Sequence, residues 1–137
     1  MASVSPTPRT APLLQGIARL CESGAGADVT IVCGGRSWKM HSFALTVQCE
    51  FFEKALNGRF RESHDKRIDL SEDDESALAA MLYYLYHGDY KEAISKPADL
   101  LSLVFHTGIY IVANKYDIES LASLALESFE ASFRAEW

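Results

Sequence analysis

Two adjacent glycines, Gly34 and Gly35, separate two short segments that both favour extended backbone. Residues 29–33 read Val-Thr-Ile-Val-Cys, which is β-branched and apolar, and the run Trp38-Lys39-Met40 continues on the far side of the glycines. A Gly-Gly pair tolerates the positive φ angles that a two-residue hairpin turn requires. The sequence therefore predicts a strand, a tight turn and a second strand between residues 29 and 40.

Helical periodicity dominates the rest of the chain. Before the hairpin, apolar residues recur at i, i+1, i+4, i+7 and i+8 from Leu13, and Pro12 suits a first helical turn, so we predict an amphipathic helix over residues 12–23. After the hairpin, we predict two short helices, at 42–48 and 50–57, and a short strand at 67–70. Three longer helices follow: one opened by a Ser71/Asp74 capping box and ending near His87, one from Pro97 to Lys115, and a last one capped by Asp117.

This order of elements predicts an α+β fold, in which a small β-sheet packs against five to six α-helices. The helix over 97–115 is apolar nearly all round, so we expect it to be central and covered on most sides. Its Gly108 costs up to about 1 kcal/mol of helix propensity relative to alanine. A close neighbouring backbone would explain that glycine.

The charge balance bears on the class of partner. Thirteen Lys and Arg oppose nineteen Asp and Glu, which gives a formal net charge of −6. Because Lys and Arg supply most of the affinity for phosphate backbones, we expect neither nucleic acid nor an anionic membrane surface as a partner. The most apolar stretch is too short and too polar to span a bilayer. Residues 1–11 form a predicted flexible tail, without the apolar segment of a signal peptide.

The cysteines indicate a reducing compartment. Cys21, Cys33 and Cys49 are odd in number and include no Cys-x-x-Cys pair. We therefore predict three reduced, half-buried thiols and a cytoplasmic or nuclear location.

No motif with a defined chemistry stands out. A nucleophile elbow, a phosphate-binding Gly-Lys-Ser/Thr loop and a His-Glu-x-x-His pair are all missing from the sequence. The four histidines, His41, His64, His87 and His106, show no metal-ligand spacing, and a buried hydrogen bond is the preferred interpretation of His41. The acidic run at residues 72–75 sits where a helix begins, which favours an interaction with the helix dipole over a calcium loop. We expect no catalytic residue, metal or cofactor.

One alternative from another class is a small hydrolase that uses His41 or Cys49, and it requires a solvent-open thiol. A second open question concerns the leading helix. Its apolar stripe either folds back on its own domain or pairs with the same helix of a second copy, which would give a twofold interface.

From Asp28 to about Phe133 the chain resembles the BTB/POZ domain family. Seven segments stand in the family's order: Asp28 to Val32, Trp38 to His41 with Leu45, Cys49 to Phe52, Gly58 to Ser63, Ile68 to Leu70, Tyr84 to Tyr90, and Ala113 to Ile118 with Leu121. Cys49 stands where the family usually has serine. The Phe-Phe-x-x-Ala-x-x-Gly-x-Phe and Tyr-Leu-Tyr-x-Gly-x-Tyr patterns look most like the version common in filamentous fungi.

The resemblance implies a protein–protein interaction module at 27–135, not an enzyme. Many relatives form homodimers through a leading helix, and the matching positions here are Leu13, Leu14, Ile17 and Leu20. Many also dock a cullin scaffold of RING ubiquitin ligases, as substrate adaptors, through a hydrophobic-x-Glu motif that corresponds to Phe60 and Glu62. The resemblance assigns structural roles to four further residues: Asp28, His41, Phe51 and Phe52.

Overall fold

A computed structural model of the chain describes residues 9–57, 66–90 and 100–136. In chain order the elements are α1 (Ala11–Ser23), β1 (Val29–Cys33), β2 (Arg36–Met40), α2 (Ser42–Thr46), α3 (Glu50–Asn57), β3 (Arg67–Asp69), α4 (Glu75–His87), α5 (Leu100–Lys115) and α6 (Glu119–Glu136). The predicted α+β class is confirmed, with six helices and one small sheet within the described residues.

The sheet has the strand order β2-β1-β3. Strands β1 and β2 pair antiparallel, with Cys33 opposite Arg36 across the two-glycine turn, so the predicted hairpin is confirmed. Gly34 takes a φ of 60°, in the left-handed region that favours glycine. Strand β3 pairs with β1 in parallel, with Ile68 opposite Ile31. A parallel neighbour needs a long crossover, and helices α2 and α3 lie within it.

The core lies between one face of this sheet and the helices. Eight of the thirteen residues of α4 are buried, so α4 is the central helix. The expectation that the helix over 97–115 would be covered on most sides is wrong, because Val104, Tyr110 and Ile111 of α5 are exposed. Apolar composition shows that a helix can be covered, but only the packing decides which helix receives neighbours on all sides. Residues 97–99 lie outside the described residues.

Two helix ends differ from the sequence predictions. Helix α4 begins at Glu75, and Asp74 is its N-cap, with a carboxylate that accepts a hydrogen bond from the Ala77 N–H at 2.9 Å. The predicted Ser71/Asp74 capping box is therefore wrong. The hydroxyl of Ser71 instead donates to Asp69 and accepts from the Gly34 N–H at 2.9 Å, which ties the end of β3 to the hairpin turn.

Asp117 closes α5 and does not cap the last helix. It adopts a φ of 59°, and its N–H donates to the Asn114 carbonyl at 3.2 Å. The N–H of Ile118 donates to the Ala113 carbonyl at 2.8 Å, and the two bonds together make a Schellman motif. Helix α6 then begins at Glu119, two residues after the predicted cap.

Gly108 faces a side chain of the neighbouring helix. A Cβ atom added there would lie 3.4 Å from the Cβ of Ala77 on α4. The close approach predicted for this glycine exists, but a methyl group makes it. None of the helices in the described ranges has the length and apolar character that a membrane crossing demands.

Candidate functional site

Helix α1 carries an apolar stripe that its own domain covers only in part. It packs against α4, and its half-buried Ile17 and Cys21 contact the hydrophobic core. Leu20 is also half-buried, whereas Leu13 and Leu14 are 62% and 47% exposed. The helix therefore folds back through Ile17 and Cys21, as one of the two sequence alternatives has it, and still presents Leu13 and Leu14 to solvent.

A second exposed apolar surface lies on α2 and on Val47, the residue that follows it, and the sequence analysis did not identify it. Phe43 and Val47, four residues apart, are both exposed, Val47 by 78%. Helix α2 also contacts α4, so α1 and α2 share a supporting helix. The signal was present in the sequence as Phe43, Val47 and Phe51 at intervals of four residues. These apolar positions do not all belong to the core.

His41 connects three parts of the fold. Its ring is buried, with Nδ1 2.6 Å from the Tyr86 hydroxyl and Nε2 2.7 Å from the Ala25 carbonyl oxygen. A carbonyl only accepts, so Nε2 carries the proton and Nδ1 accepts from the Tyr86 O–H. Burial raises the pKa of Tyr86 to about 12, which keeps its hydroxyl protonated. His41 thus has the buried hydrogen-bonding role expected from the sequence, and it fixes the linker that follows α1.

Asp28 holds the start of α2. Its Oδ1 accepts from the Ser42 N–H at 2.7 Å, and its Oδ2 accepts from the Ser42 hydroxyl at 2.6 Å. Burial acts to raise the pKa of Asp28, but the hydrogen bonds from Ser42 outweigh it and hold that pKa below its ordinary value. Asp28 and His41 therefore fix both sides of the corner between β2 and α2.

Phe51 and Phe52 have different surroundings. Phe52 is fully buried in the core, whereas Phe51 is partly exposed, with its ring centroid 4.7 Å from that of Tyr116. The Tyr116 hydroxyl donates to Asp73, and the Lys115 Nζ lies 2.7 Å from Asp73 Oδ1. Burial, together with the hydrogen bond and negative charge of Asp73, raises the pKa of Tyr116. Asp73 thereby joins the loop before α4 to the end of α5.

A cleft of about 420 Å³ opens beside this cluster. Phe51 and Tyr116 line it together with Asp69, Glu72 and Lys115. It thus combines aromatic surface with side chains of both charges. Helix α3 ends at Asn57, and three residues considered in the sequence analysis, Phe60, Glu62 and His64, fall in residues 58–65, outside the described residues.

The hydrolase alternative requires a solvent-open thiol, and Cys49 does not provide one. Cys49 is 1% exposed, and burial raises the pKa of its thiol. A nucleophilic cysteine needs both a thiolate and access to its substrate. All three cysteines are free thiols, and Cys33 is also buried. Among the described residues, no three His, Cys, Asp or Glu side chains are grouped so that they could hold a metal ion.

Comparison with known proteins gives the same fold. Residues 17–132 match the sequence model of the BTB/POZ domain. The chain is 34% identical over 108 residues to the mouse Kelch repeat and BTB domain-containing protein 4, and 29% identical over 105 residues to the BTB and MATH domain-containing protein 40 of Caenorhabditis elegans. The solved BTB domain of zebrafish PATZ1 superposes with a TM-score of 0.69 at 15% identity, covering 96% of this chain and 99% of that one.

The matched region is a small part of the curated relatives. It takes up 78% of this chain but 18% of the mouse protein, and 72% of this chain but 24% of the nematode protein. The similarity therefore concerns one domain of those proteins.

Proposed function

The chain belongs to the BTB/POZ domain family, whose members are protein–protein interaction modules, and on that basis we propose that it forms a homodimer through α1. The observation that supports the proposal is the exposure of Leu13 and Leu14 on a helix anchored by Ile17. Burying an exposed leucine side chain contributes about 1.5–3 kcal/mol, so a twofold interface that covers both residues on each copy gains several such terms.

Phe43 of α2 and Val47, which directly follows that helix, extend this proposed interface. They are exposed and apolar, and their helix rests on α4 as α1 does. The hydrogen bond from His41 to Ala25 supports the same assignment, since it fixes the linker and so the orientation of α1 before a second copy arrives. A preformed surface loses less conformational entropy on association.

Solution mass tests the homodimer. We expect light scattering after size exclusion to give twice the mass of the chain at tens of micromolar, and the mass of one chain for the variant L13D/L14D. The matched control is L126D, which places the same charge at a leucine of α6 that is 48% exposed. A monomeric wild-type protein, or equal dissociation by the control, would refute the proposal.

The second candidate function is docking of a cullin scaffold, which would make the chain a substrate-adaptor domain. The cleft beside Phe51 and Tyr116 supports it, because that cleft borders α3 and the hydrophobic-x-Glu motif at Phe60 and Glu62 comes directly after α3 in sequence. A pull-down with the amino-terminal half of a cullin tests it with Phe60→Ala and Glu62→Ala, and Glu53→Ala on α3 is the matched control. Equal recovery of the wild-type protein and the three variants would refute docking through this motif.

Three finer assignments also remain proposals. The fungal subtype rests on the two aromatic patterns named above, and a cytoplasmic or nuclear location rests on the three free thiols. The division into a tail at 1–11, a dimerisation helix at 12–23 and a domain at 27–135 rests on the sequence pattern. We further propose that the chain has no enzymatic activity and binds neither nucleic acid nor membrane, on the buried Cys49 and the net charge of −6.

A further inference from the structure

A groove of about 930 Å³ follows strand β2. All five residues of Arg36–Met40 line it, together with a face of α4 that includes Ala79 and Tyr83, and with the last turn of α1. Among the described strands, β2 is at the edge of the sheet and pairs with β1 alone. An edge strand directs the N–H and C=O groups of alternate residues away from its sheet, where they can pair with another extended segment.

The two faces of β2 differ in chemistry. Trp38 lies opposite Ile31 and therefore on the core-facing side, where Tyr83 and Phe105 also line the groove. Lys39 lies opposite Thr30 on the other side, and its Nζ is 3.2 Å from the Thr30 hydroxyl. A strand added to β2 would meet aromatic surface and Arg36 with one set of alternate side chains, and Lys39 with the other.

The charges on β2 indicate which kind of strand could pair with it. The strand carries Arg36 and Lys39 and no acidic residue, in a chain whose net charge is −6. Arg36 lies 4.8 Å from the Trp38 ring centroid and 3.8 Å from a carboxylate oxygen of Glu75, and Glu22 is the acidic side chain that α1 adds to the groove. Pairing of two β2 strands would bring like charges together, which disfavours a second copy. An acidic strand, by contrast, would be attracted to the positive side chains of Arg36 and Lys39.

We propose that β2 binds an extended acidic segment of a partner protein, which adds to the sheet as a fourth strand. Main-chain hydrogen bonds to the edge that no described strand covers supply affinity, and the alternation of the partner's side chains supplies specificity. Its apolar side chains pack against Trp38 and Tyr83, and its acidic side chains face Lys39. The site is separate from the proposed dimer surface, since Leu13 and Leu14 are on the first turn of α1 and the groove is lined by the last.

A defined probe tests this proposal. The peptide acetyl-Ser-Val-Glu-Val-Glu-Val-Ser-amide is titrated into ¹⁵N-labelled protein while backbone amide shifts are followed. We expect the largest shifts at Ser37, Trp38 and Lys39. The same peptide with Lys in place of Glu is expected to bind about tenfold more weakly, because each attraction becomes a repulsion. N-methylation of alternate peptide amides, in both registers, is expected to abolish binding in at least one register.

Charge variants give the second arm. Lys39→Glu is expected to weaken the Glu peptide several-fold and R36E/K39E about tenfold, whereas the matched control Arg67→Glu, on the opposite edge strand β3, changes the affinity less than twofold. Shifts confined to other elements, equal affinity for the Glu and Lys peptides, or no shift at millimolar peptide would overturn the proposal. Slow hydrogen exchange of both Ser37 and Lys39 amides in the free protein would also overturn it, because another segment of the chain would then already cover this edge.

Discussion

The hydroxyl of Tyr86 accepts a hydrogen bond from the backbone N–H of His41 at 2.7 Å and donates one to Nδ1 of the same residue at 2.6 Å. One side chain of α4 therefore satisfies two buried polar groups at the end of β2. Because the other ring nitrogen of His41 is hydrogen-bonded to the Ala25 carbonyl, Tyr86 and His41 together connect the central helix to the linker between α1 and β1. The orientation of the proposed dimer helix depends on a contact in the core.

Removing that hydroxyl is expected to destabilise the fold. In Tyr86→Phe both the N–H and Nδ1 of His41 lose their partner while they stay buried, and a buried unsatisfied polar group costs about 1–3 kcal/mol. Urea unfolding followed by circular dichroism measures the loss. The matched control is Tyr110→Phe, at an exposed tyrosine of α5, where we expect a change below about 0.5 kcal/mol. Equal stability of the two variants would show that the pair contributes nothing.

His106 makes stability depend on pH. Its buried ring lies with Nδ1 2.7 Å from the Tyr90 hydroxyl, and burial lowers the pKa of His106 below its ordinary value. The folded state therefore binds fewer protons than the unfolded chain below about pH 6.5, so the contribution to stability is present above that pH and falls as the pH drops. We expect His106→Gln to reduce the slope of unfolding free energy between pH 7 and pH 5.5. An unchanged slope in the His106 variant would contradict this assignment.

Asp73 is expected to matter far more than its acidic neighbour in sequence. Its carboxylate is largely buried and bonds both Lys115 and Tyr116, so Asp73→Ala leaves the Tyr116 hydroxyl without its acceptor. We expect a loss of about 2–3 kcal/mol, in the range for hydrogen bonds to a charged group. Glu72→Ala, at an exposed position one residue away, is the control and is expected to change stability by less than about 0.5 kcal/mol. Chemical denaturation of both variants distinguishes a structural connection from a general effect of charge.

Local features of this fold are predictable from sequence, and features that depend on neighbours are not. The hairpin follows from Gly34 and Gly35, because turn geometry is set by the residues in the turn itself. The sequence pattern predicts Asp117 as the cap of the last helix, whereas in the structure it ends α5. Its left-handed conformation belongs to a motif closed by the Asp117 N–H on Asn114 and the Ile118 N–H on Ala113, and the local pattern does not specify these bonds.

The candidate site shows the same division. The apolar stripe of α1 is visible in the sequence, but its partition into anchored Ile17 and exposed Leu13 follows from the angle at which α1 meets α4. The exposure of Phe43 and Val47 has the same origin. A periodic apolar pattern identifies residues that can be buried, and tertiary contacts decide which of them the chain leaves for a partner.

Gly108 offers a test in which a substitution is expected to stabilise the protein. The sequence predicts that a close backbone explains the glycine here, whereas the structure shows an alanine methyl 3.4 Å from the position of an added Cβ, at the near limit of ordinary van der Waals contact. Alanine is favoured over glycine inside a helix by about 1 kcal/mol, so we expect Gly108→Ala to raise the free energy of unfolding by about 0.5 kcal/mol after a slight adjustment of Ala77. Gly108→Leu is the opposing variant, because its larger side chain meets α4 and is expected to cost about 1–3 kcal/mol. Thermal and urea unfolding measure the expected gain in stability of Gly108→Ala and the expected loss of Gly108→Leu. Destabilisation by alanine would show that α4 and α5 cannot separate even by a few tenths of an ångström.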